Sequence, residues 1–519
     1  MALEISLFHS FILSLFSMKR RDFLTAASAS LLPVMLDGFG LKAMSRQSAL
    51  VQSLLNTTAL ASDRVLVIVY LNGGNDGLNT VIPLDQYALY TGLRSNIAIP
   101  QSSVLGLDGN PATGLHPAMT GMRNLYNSGK LSIVHSVSYP NPDQSHYRAT
   151  DIWMTAVDST QTSVSGWAGR YLENRFPGYP TGYPNAQMED PLAIQIGYLT
   201  STALLGSQQS MGIALNDPDS FYQLVGSGGA TSPGDLPCCD AGDLIAYIRK
   251  QQALSVGYAG EIKRAADAGQ NMATYPAAAA KNSLADQLKI VARLIHGGLK
   301  TKIYFVSLNG FDTHSGQVDT TDVRLGSHAD LLGKLSTAIE TFQQDLTLQG
   351  IEDKVVGMTF SEFGRRANSN NSKGTDHGVA APMFVFGSNV KHRTIGQNPD
   401  LANLTGQAGS KEITMQIDFR RVYTDILNDW FGTQHTTTNA LLFREFPTVS
   451  LFSDTVETVA SGNWQDRNVW TVGRVPFASE YVKVNAGHTL TIDRSVSVKN
   501  IRLEGKLMYT GPYSIQMTG

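Results

Sequence analysis

Cysteine is nearly missing from this 519-residue chain: Cys238 and Cys239 are the only two, adjacent in Pro237-Cys238-Cys239-Asp240. Two thiols exclude a disulfide framework and a thiolate-bound metal centre. In an oxidising compartment the pair is either a strained vicinal disulfide or part of an ordinary surface loop. Charge is scarce as well, with 16% Asp, Glu, Lys and Arg against the ~25% usual for soluble domains. The net charge of −3 and the lack of a basic patch exclude a nucleic-acid partner. The apolar stretches near the start are interrupted before they reach the ~20 residues that a spanning helix needs.

What interrupts them is informative. After the apolar residues Met1 to Ser17 comes Met18-Lys19-Arg20-Arg21-Asp22-Phe23-Leu24-Thr25, then a mild hydrophobic stretch from Ala26 to Met35. A charged n-region, paired arginines and a weak h-region are the features of a twin-arginine signal, which exports proteins already folded. The expected partner is therefore the twin-arginine export machinery, and the expected location is periplasmic or cell-surface. Residues 1–44 are set aside as leader, with either Met1 or Met18 as the start. A membrane anchor is the competing reading of the same segment.

The remaining length exceeds the ~250–300 residues at which single cores stop growing, so a large domain plus an accessory segment is expected. Arg64 to Leu71 is a continuous β-branched run of the kind buried on both faces of a parallel sheet. Similar runs occur at Leu131 to Val137, Leu192 to Gly197, Lys302 to Leu308, Lys354 to Phe360 and Met383 to Gly387. Between them lie helical patterns. The clearest runs from Gly326 to Leu348, with Leu332, Leu335, Ile339, Phe342 and Leu346 on one face, and another covers Ala285 to His296. This alternation predicts a three-layer α/β/α domain with a mostly parallel sheet over residues 62–445. Residues 458–519 have a different texture. Segments Trp470 to Pro476, Tyr481 to Val484, Gly487 to Ile492, Val496 to Leu503 and Lys506 to Tyr509 read as short strands of a small all-β unit, similar to the opening rungs of a β-helix or a carbohydrate-associated module.

In open α/β sheets the ligand site lies outside the carboxyl ends of the strands. Four polar clusters follow such ends: Asn72 to Asp76, His135 to His146, Asp312 to His314, and Glu362 to His377. Carboxylate and imidazole together suit zinc, manganese or iron, and two such ions can clamp both oxygens of a phosphoryl or sulfuryl transfer. Asp312 and His314, two residues apart in extended chain, point the same way. Asp376 and His377 form the second cluster. Asp76 is a ligand or a turn former in a Gly-rich loop whose glycines permit close approach to an ion; His328, at a helix start, is a ligand or a core residue. Glu362 orients Arg365 or binds metal, and Arg365 either grips an anion or completes a structural pair. Ser145, with His146 beside it, is a nucleophile or a plain helix cap. No activated-serine elbow precedes the Asp/His clusters.

Taken together, Leu71 to Asn79, Ser145 to Trp153, Gly310 to His314, Ser361 to Arg365, Gly374 to Gly378 and Asp418 to Tyr423 before Trp430 resemble the domain of unknown function 1501 family. That resemblance spans roughly Val65 to Gly432 and implies an alkaline-phosphatase-like sheet with a metal site at its carboxyl edge. In the wider superfamily an Asp follows the first strand directly, and Thr, Ser or a formylglycine-forming Cys is the nucleophile. Here Asn72 occupies the first of those places, so Asp76 has to substitute, and the sulfatase Cys-x-Pro-x-Arg signature is absent.

The expectation is an exported, metal-dependent hydrolase of phosphate or sulfate esters, acting on a small molecule or a polysaccharide. Two divalent ions would be held by Asp76, Asp312, His314, His328, Asp376 and His377, with Ser145, His146, Glu362 and Arg365 at the reacting groups. The alternative is a non-catalytic exported binding protein with a degenerate site. The C-terminal β segment is a candidate for carbohydrate contact, and in the alternative it serves attachment to carbohydrate or partners.

Overall fold

The computed structural model describes residues 63–186, 188–227, 239–406 and 410–518, together with a short antiparallel pair, Val34–Leu36 and Phe39–Leu41. The expected signal at Lys19 to Thr25 and the thiol of Cys238 lie outside the described residues, as does the side chain of Cys239. Residues 64–519 form one compact unit and residues 1–63 another.

The central sheet is built from β1 (Val65–Asn72), β2 (Leu131–Ser138), β3 (Ala193–Ile196), β4 (Ile213–Leu215), β5 (Ile303–Asn309), β6 (Val355–Phe360), β7 (Ala381–Phe386), β8 (Thr394–Ile395) and β9 (Ile417–Asp418). Its order is β8-β2-β7-β6-β1-β5-β3-β4, with β9 also paired to β2. The β-branched run Val65 to Leu71 is buried throughout because β1 sits at the centre: β5 and β6 flank it in parallel, Ile303 opposite Leu66 and Val355 opposite Val65. All the long strands expected from sequence are present within a few residues of their expected bounds. β7 alone among these pairings runs antiparallel to both neighbours. Its amino end therefore lies at the same edge as the carboxyl ends of β1, β2, β5 and β6.

Helices cover both faces. They include α1 (His146–Thr155), α2 (Trp167–Arg175), α3 (Cys239–Ala268), α4 (Ser283–His296), α5 (Ser327–Leu348) and α6 (Phe419–Asp425). The apolar stripe of α5 is buried as its spacing requires, with Leu332, Leu335, Ile339, Phe342 and Leu346 all inaccessible. Trp153, in the last turn of α1, stacks on Phe360 of β6 and on Phe419 of α6, tying α1 to the sheet.

The C-terminal segment forms three small sheets whose strand pairs are all parallel. β10 (Thr455–Glu457), β12 (Tyr481–Val484) and β15 (Asn500–Leu503) stack in one; β11 (Gly462–Asn463), β13 (Thr489–Ile492) and β16 (Lys506–Tyr509) in another; β14 (Val496–Val498) and β17 (Ile515–Met517) in the third. Tyr481 lies over Asn500, Thr489 over Lys506 and Val496 over Ile515, the register of successive β-helix rungs. Two expectations change here. Trp470 to Pro476 is turn rather than strand, because Trp470 turns inward onto Trp464, its indole nitrogen donating to the Trp464 carbonyl at 2.8 Å. Val496 to Leu503 is two strands, broken at Lys499 where the chain turns a corner between sheets.

Candidate metal centre

The first strand ends in Gly73-Gly74, and the space there is occupied by protein. A Cβ at Gly73, whose φ is +127°, would lie 2.3 Å from the Asp312 nitrogen. The glycines thus permit the loop after β1 to touch the loop after β5, backbone to backbone. A Cβ at Gly374 would meet the His314 carbonyl carbon at 2.3 Å, so the loop before β7 is pressed on the same segment. Close packing of three loops brings Asp312, His314, Asp376 and His377 to one spot, and α1 adds His146 from the fourth.

The donor atoms have a consistent arrangement. His146 turns Nδ1 to the buried Glu362 carboxylate at 2.7 Å, His377 turns Nδ1 to the Gln144 carbonyl at 2.9 Å, and His314 turns Nδ1 to Asp376 at 3.4 Å. Each ring thereby places its N–H on an acceptor and leaves Nε2 bare, the orientation that outer partners impose on metal-bound histidine. The three Nε2 atoms face Asp312: His314 at 3.2 Å and His377 at 3.4 Å from Oδ1, His146 at 3.5 Å from Oδ2. The Nε2 atoms of His314 and His377 stand 2.9 Å apart. Two imidazole lone pairs at that distance repel unless a proton or a cation sits between them. Metal–nitrogen bonds of about 2.0–2.1 Å at a tetrahedral angle would put ligand atoms about 3.3–3.4 Å apart, close to the three separations from Asp312 and wider than the His314–His377 separation.

Electrostatics favour the same forms. Burial pushes the Asp312 carboxyl up, but Arg365, donating to it at 2.6 Å, and the neighbouring histidines bring it below its ordinary value. Burial, followed by the Arg365 charge, lowers His377 despite the Gln144 carbonyl, so a neutral imidazole is favoured. The centre is open: the side chains of Asp312 and His314 are 47% and 46% exposed, against 33% for His146 and 22% for His377.

Other residues expected at the site have different partners. Asp76 is fully buried, both oxygens accepting from Arg94 at 2.9 and 2.8 Å and one also from Gln317 at 2.6 Å. His328 is buried with Nε2 on Asn75 Oδ1 at 3.0 Å. Both are buried in a hydrogen-bonded cluster of their own, apart from the open group around Asp312. Arg365 is inaccessible and faces the carbonyls of Gly73, Gly74, Phe311 and Thr375 besides Asp312, so it is turned into the protein and not towards a substrate anion. Glu362 does not orient it: that carboxylate accepts from the Gly73 amide at 3.0 Å and holds His146. Ser145 is exposed at the start of α1, its hydroxyl making no capping bond and its amide donating to Asp143 at 2.7 Å. His135 lies buried under β2, where burial lowers it to about 4.

Several contributors escaped the sequence reading. Gln317, fully buried, accepts from Thr313 at 3.1 Å and from Thr375 at 2.9 Å while donating to Asp76. One amide therefore clamps the two ligand-bearing loops to each other and to the Asp76–Arg94 pair. Asn370 donates to the His314 carbonyl and to Asp376. Arg366, partly exposed, lies 3.6 Å from Asp376 and 3.4 Å from Glu412, and is a cation at the rim where Arg365 is not. Its only signal in the sequence is adjacency to Arg365.

A family model described as "Protein of unknown function (DUF1501)" matches residues 246–440. That stretch holds Asp312, His314, Glu362, Asp376 and His377, while His146 lies upstream of it. No curated protein matches the sequence. Solved structures similar to this chain include a protein in the alkaline phosphatase superfamily from Vibrio parahaemolyticus, 10% identical, covering 74% of this chain and 72% of that one at a TM-score of 0.31. The lipoteichoic acid synthase LtaP from Listeria monocytogenes is 11% identical, covering 68% and 74% at 0.29. The alkaline phosphatase of the Antarctic bacterium TAB5 is 10% identical, covering 63% and 92% at 0.24.

Proposed function

We propose that the protein holds a divalent transition-metal ion between His146, Asp312, His314 and His377 and hydrolyses a phosphate or sulfate ester there. The observation that carries this reading is the set of three imidazoles, each with Nδ1 engaged and Nε2 bare, around one carboxylate. Nitrogen and oxygen donors of this kind suit zinc, manganese or iron. An ion bound there supplies Lewis-acid polarisation of an ester oxygen and a water ionisable near neutral pH. Arg365 keeps Asp312 ionised, Glu362 and Gln144 keep two imidazoles aimed, and the open side admits an ester carried on a small molecule or a chain end. Arg366 is placed to meet the anionic substrate, and Ser145, exposed next to His146, is the protein hydroxyl available as nucleophile. Because the ligand atoms gather around Asp312 while Asp76 and His328 are buried in a separate cluster, we assign a single ion to the centre. The paired arginines Arg20 and Arg21 support export of the folded, loaded protein to the periplasm or cell surface.

A second reading, an exported metal-binding protein without catalysis, is favoured by one observation: Arg365 is buried against carbonyls and Asp312 and does not face an anion. Metal analysis of protein matured by the exporting cell separates the possibilities when combined with assays on aryl phosphate, phosphodiester and sulfate esters. Stoichiometric metal, lost in His377→Ala and Asp312→Ala, with turnover of one ester class is expected. Metal without turnover selects the binding reading. Substoichiometric metal that both substitutions leave unchanged overturns both.

A further inference from the structure

Away from the metal centre, a cleft of about 660 Å³ separates the α/β domain from the β-helix rungs. Its floor is rigid. Glu480 accepts from both terminal nitrogens of Arg474 at 2.8 and 2.6 Å and pairs with His392 Nδ1 at 2.7 Å, while Arg474 Nε donates to the Thr394 carbonyl at 2.8 Å. Burial pushes Glu480 up, but Arg474 and His392 bring it down to about 2, so this acid is fully committed. His392 is itself 3% exposed, and its Nε2 is buried without a partner among the described residues.

The walls are different in kind. Arg393 is exposed and no ion pair engages its guanidinium among the described residues. Lys499 lies 4.6 Å over the ring of Tyr481 with no carboxylate partner, and Lys391 is only 3.8 Å from Asp454. Asp108 is the one unpaired acid on the rim against these cations. Two aromatic rings stand in the same walls, Phe477 at 42% and Tyr481 at 39% exposure. Neither exposed aromatics nor uncommitted cations are needed to join the two parts, since the Arg474–Glu480–His392 lock already does so.

We infer that this cleft binds an acidic oligosaccharide, its carboxylate or sulfate groups on Arg393 and Lys499 and a sugar face on Tyr481. The volume falls within the ~300–1,000 Å³ of small-ligand sites, enough for a few sugar rings. Two free cations are too few for the continuous phosphate track that nucleic acid requires. Sugar C–H faces pack on aromatic rings. This site is independent of the metal centre and does not rest on the reading of that centre.

The test uses the whole protein with fluorescent dextran sulfate, neutral dextran of equal length, and inorganic sulfate as competitor. The wild type is expected to bind dextran sulfate and not neutral dextran. Arg393→Glu combined with Lys499→Glu, both on the surface, should weaken binding by about tenfold at low salt, and Tyr481→Ala should weaken it with a smaller salt dependence. His377→Ala should leave it unchanged. Undiminished binding by the double charge reversal, with unchanged thermal melts, overturns the proposal, as does equal binding of neutral dextran. Loss of binding in His377→Ala moves the contact to the metal centre and also overturns it. Complete displacement by millimolar inorganic sulfate reduces the site to an anion pocket without sugar recognition.

Discussion

Two polar clusters lie at the same sheet edge and share the residue types Asp and His, yet their physical states are opposite. In the outer cluster, Asp312, His146, His314 and His377 are partly exposed and three imidazole Nε2 atoms converge on one carboxylate. In the inner one, Asp76, Arg94, Gln317, Asn75 and His328 are buried and mutually hydrogen-bonded. A buried ion pair costs desolvation and is retained only when its geometry is complete. A ligand cluster is the reverse: it keeps lone pairs open and holds them by outer contacts. Asp and His alone do not decide between these roles; the partners do.

The sharpest way to break the comparison is to remove one ligand. His377→Ala is expected to lower bound metal from stoichiometric to background and ester hydrolysis to the uncatalysed rate, while the melting temperature of the metal-free protein hardly changes; chelation of the wild type should reproduce the loss, read by metal analysis and turnover. Next comes the inner cluster. Asp76→Ala leaves Arg94 buried without its carboxylate, so a loss of about 3–5 kcal/mol is expected in denaturant unfolding. If Asp76 were instead a ligand, stability would hold and metal would fall.

Gln317→Leu joins the two regions. Cutting the clamp between Thr313 and Thr375 should reduce metal affinity about 10–100-fold, the usual effect of losing an outer-sphere partner, measured by competition with a chromophoric chelator. Stability against acid gives a further contrast. Burial lowers His328 to about 4 and His116 to about 3, so the unfolded chain takes up protons first as pH falls. The stability from each neutral ring is complete above about pH 6.5 and is lost progressively towards the folded value. At pH 5 His328 should account for about 2 kcal/mol of lost stability, seen as a pH-dependent unfolding midpoint that flattens in His328→Gln. The smallest effect distinguishes the nucleophiles: Ser145→Ala should change turnover less than about threefold if a water attacks, since the exposed hydroxyl makes no contact that prepares it.

Much of this was legible in the residues. Continuous apolar runs such as Val65 to Leu71 can only be buried on both faces, and the three- and four-residue spacing of Leu332 to Leu346 can only be one face of a helix. The edge at which the Asp and His residues gather also followed, because loops after parallel strands share one side. The reversal of β7 was not legible, since a buried run carries no direction. Nor was the separation of ligand from support. Asp76 and Asp312 both follow strands, but Asp76 has Arg94 and Gln317 for neighbours only after four loops fold together. The small parallel rungs show the same division: their alternating residues announced strands, while their stacking partners were set by where the chain turns.

By itself, then, the sequence determined the order of strands and helices, the edge where polar loops meet, the shortage of cysteine that leaves imidazole and carboxylate as the donors, and the paired arginines of the head. Tertiary structure alone decided which histidines keep a bare nitrogen, which acid is neutralised by a buried arginine, and that Arg365 faces carbonyls while Arg366 faces the rim. The reason is range. Burial and periodicity act over a few consecutive residues, whereas the state of a titratable group depends on what packs within a few ångströms of it, and those neighbours come from loops hundreds of residues apart.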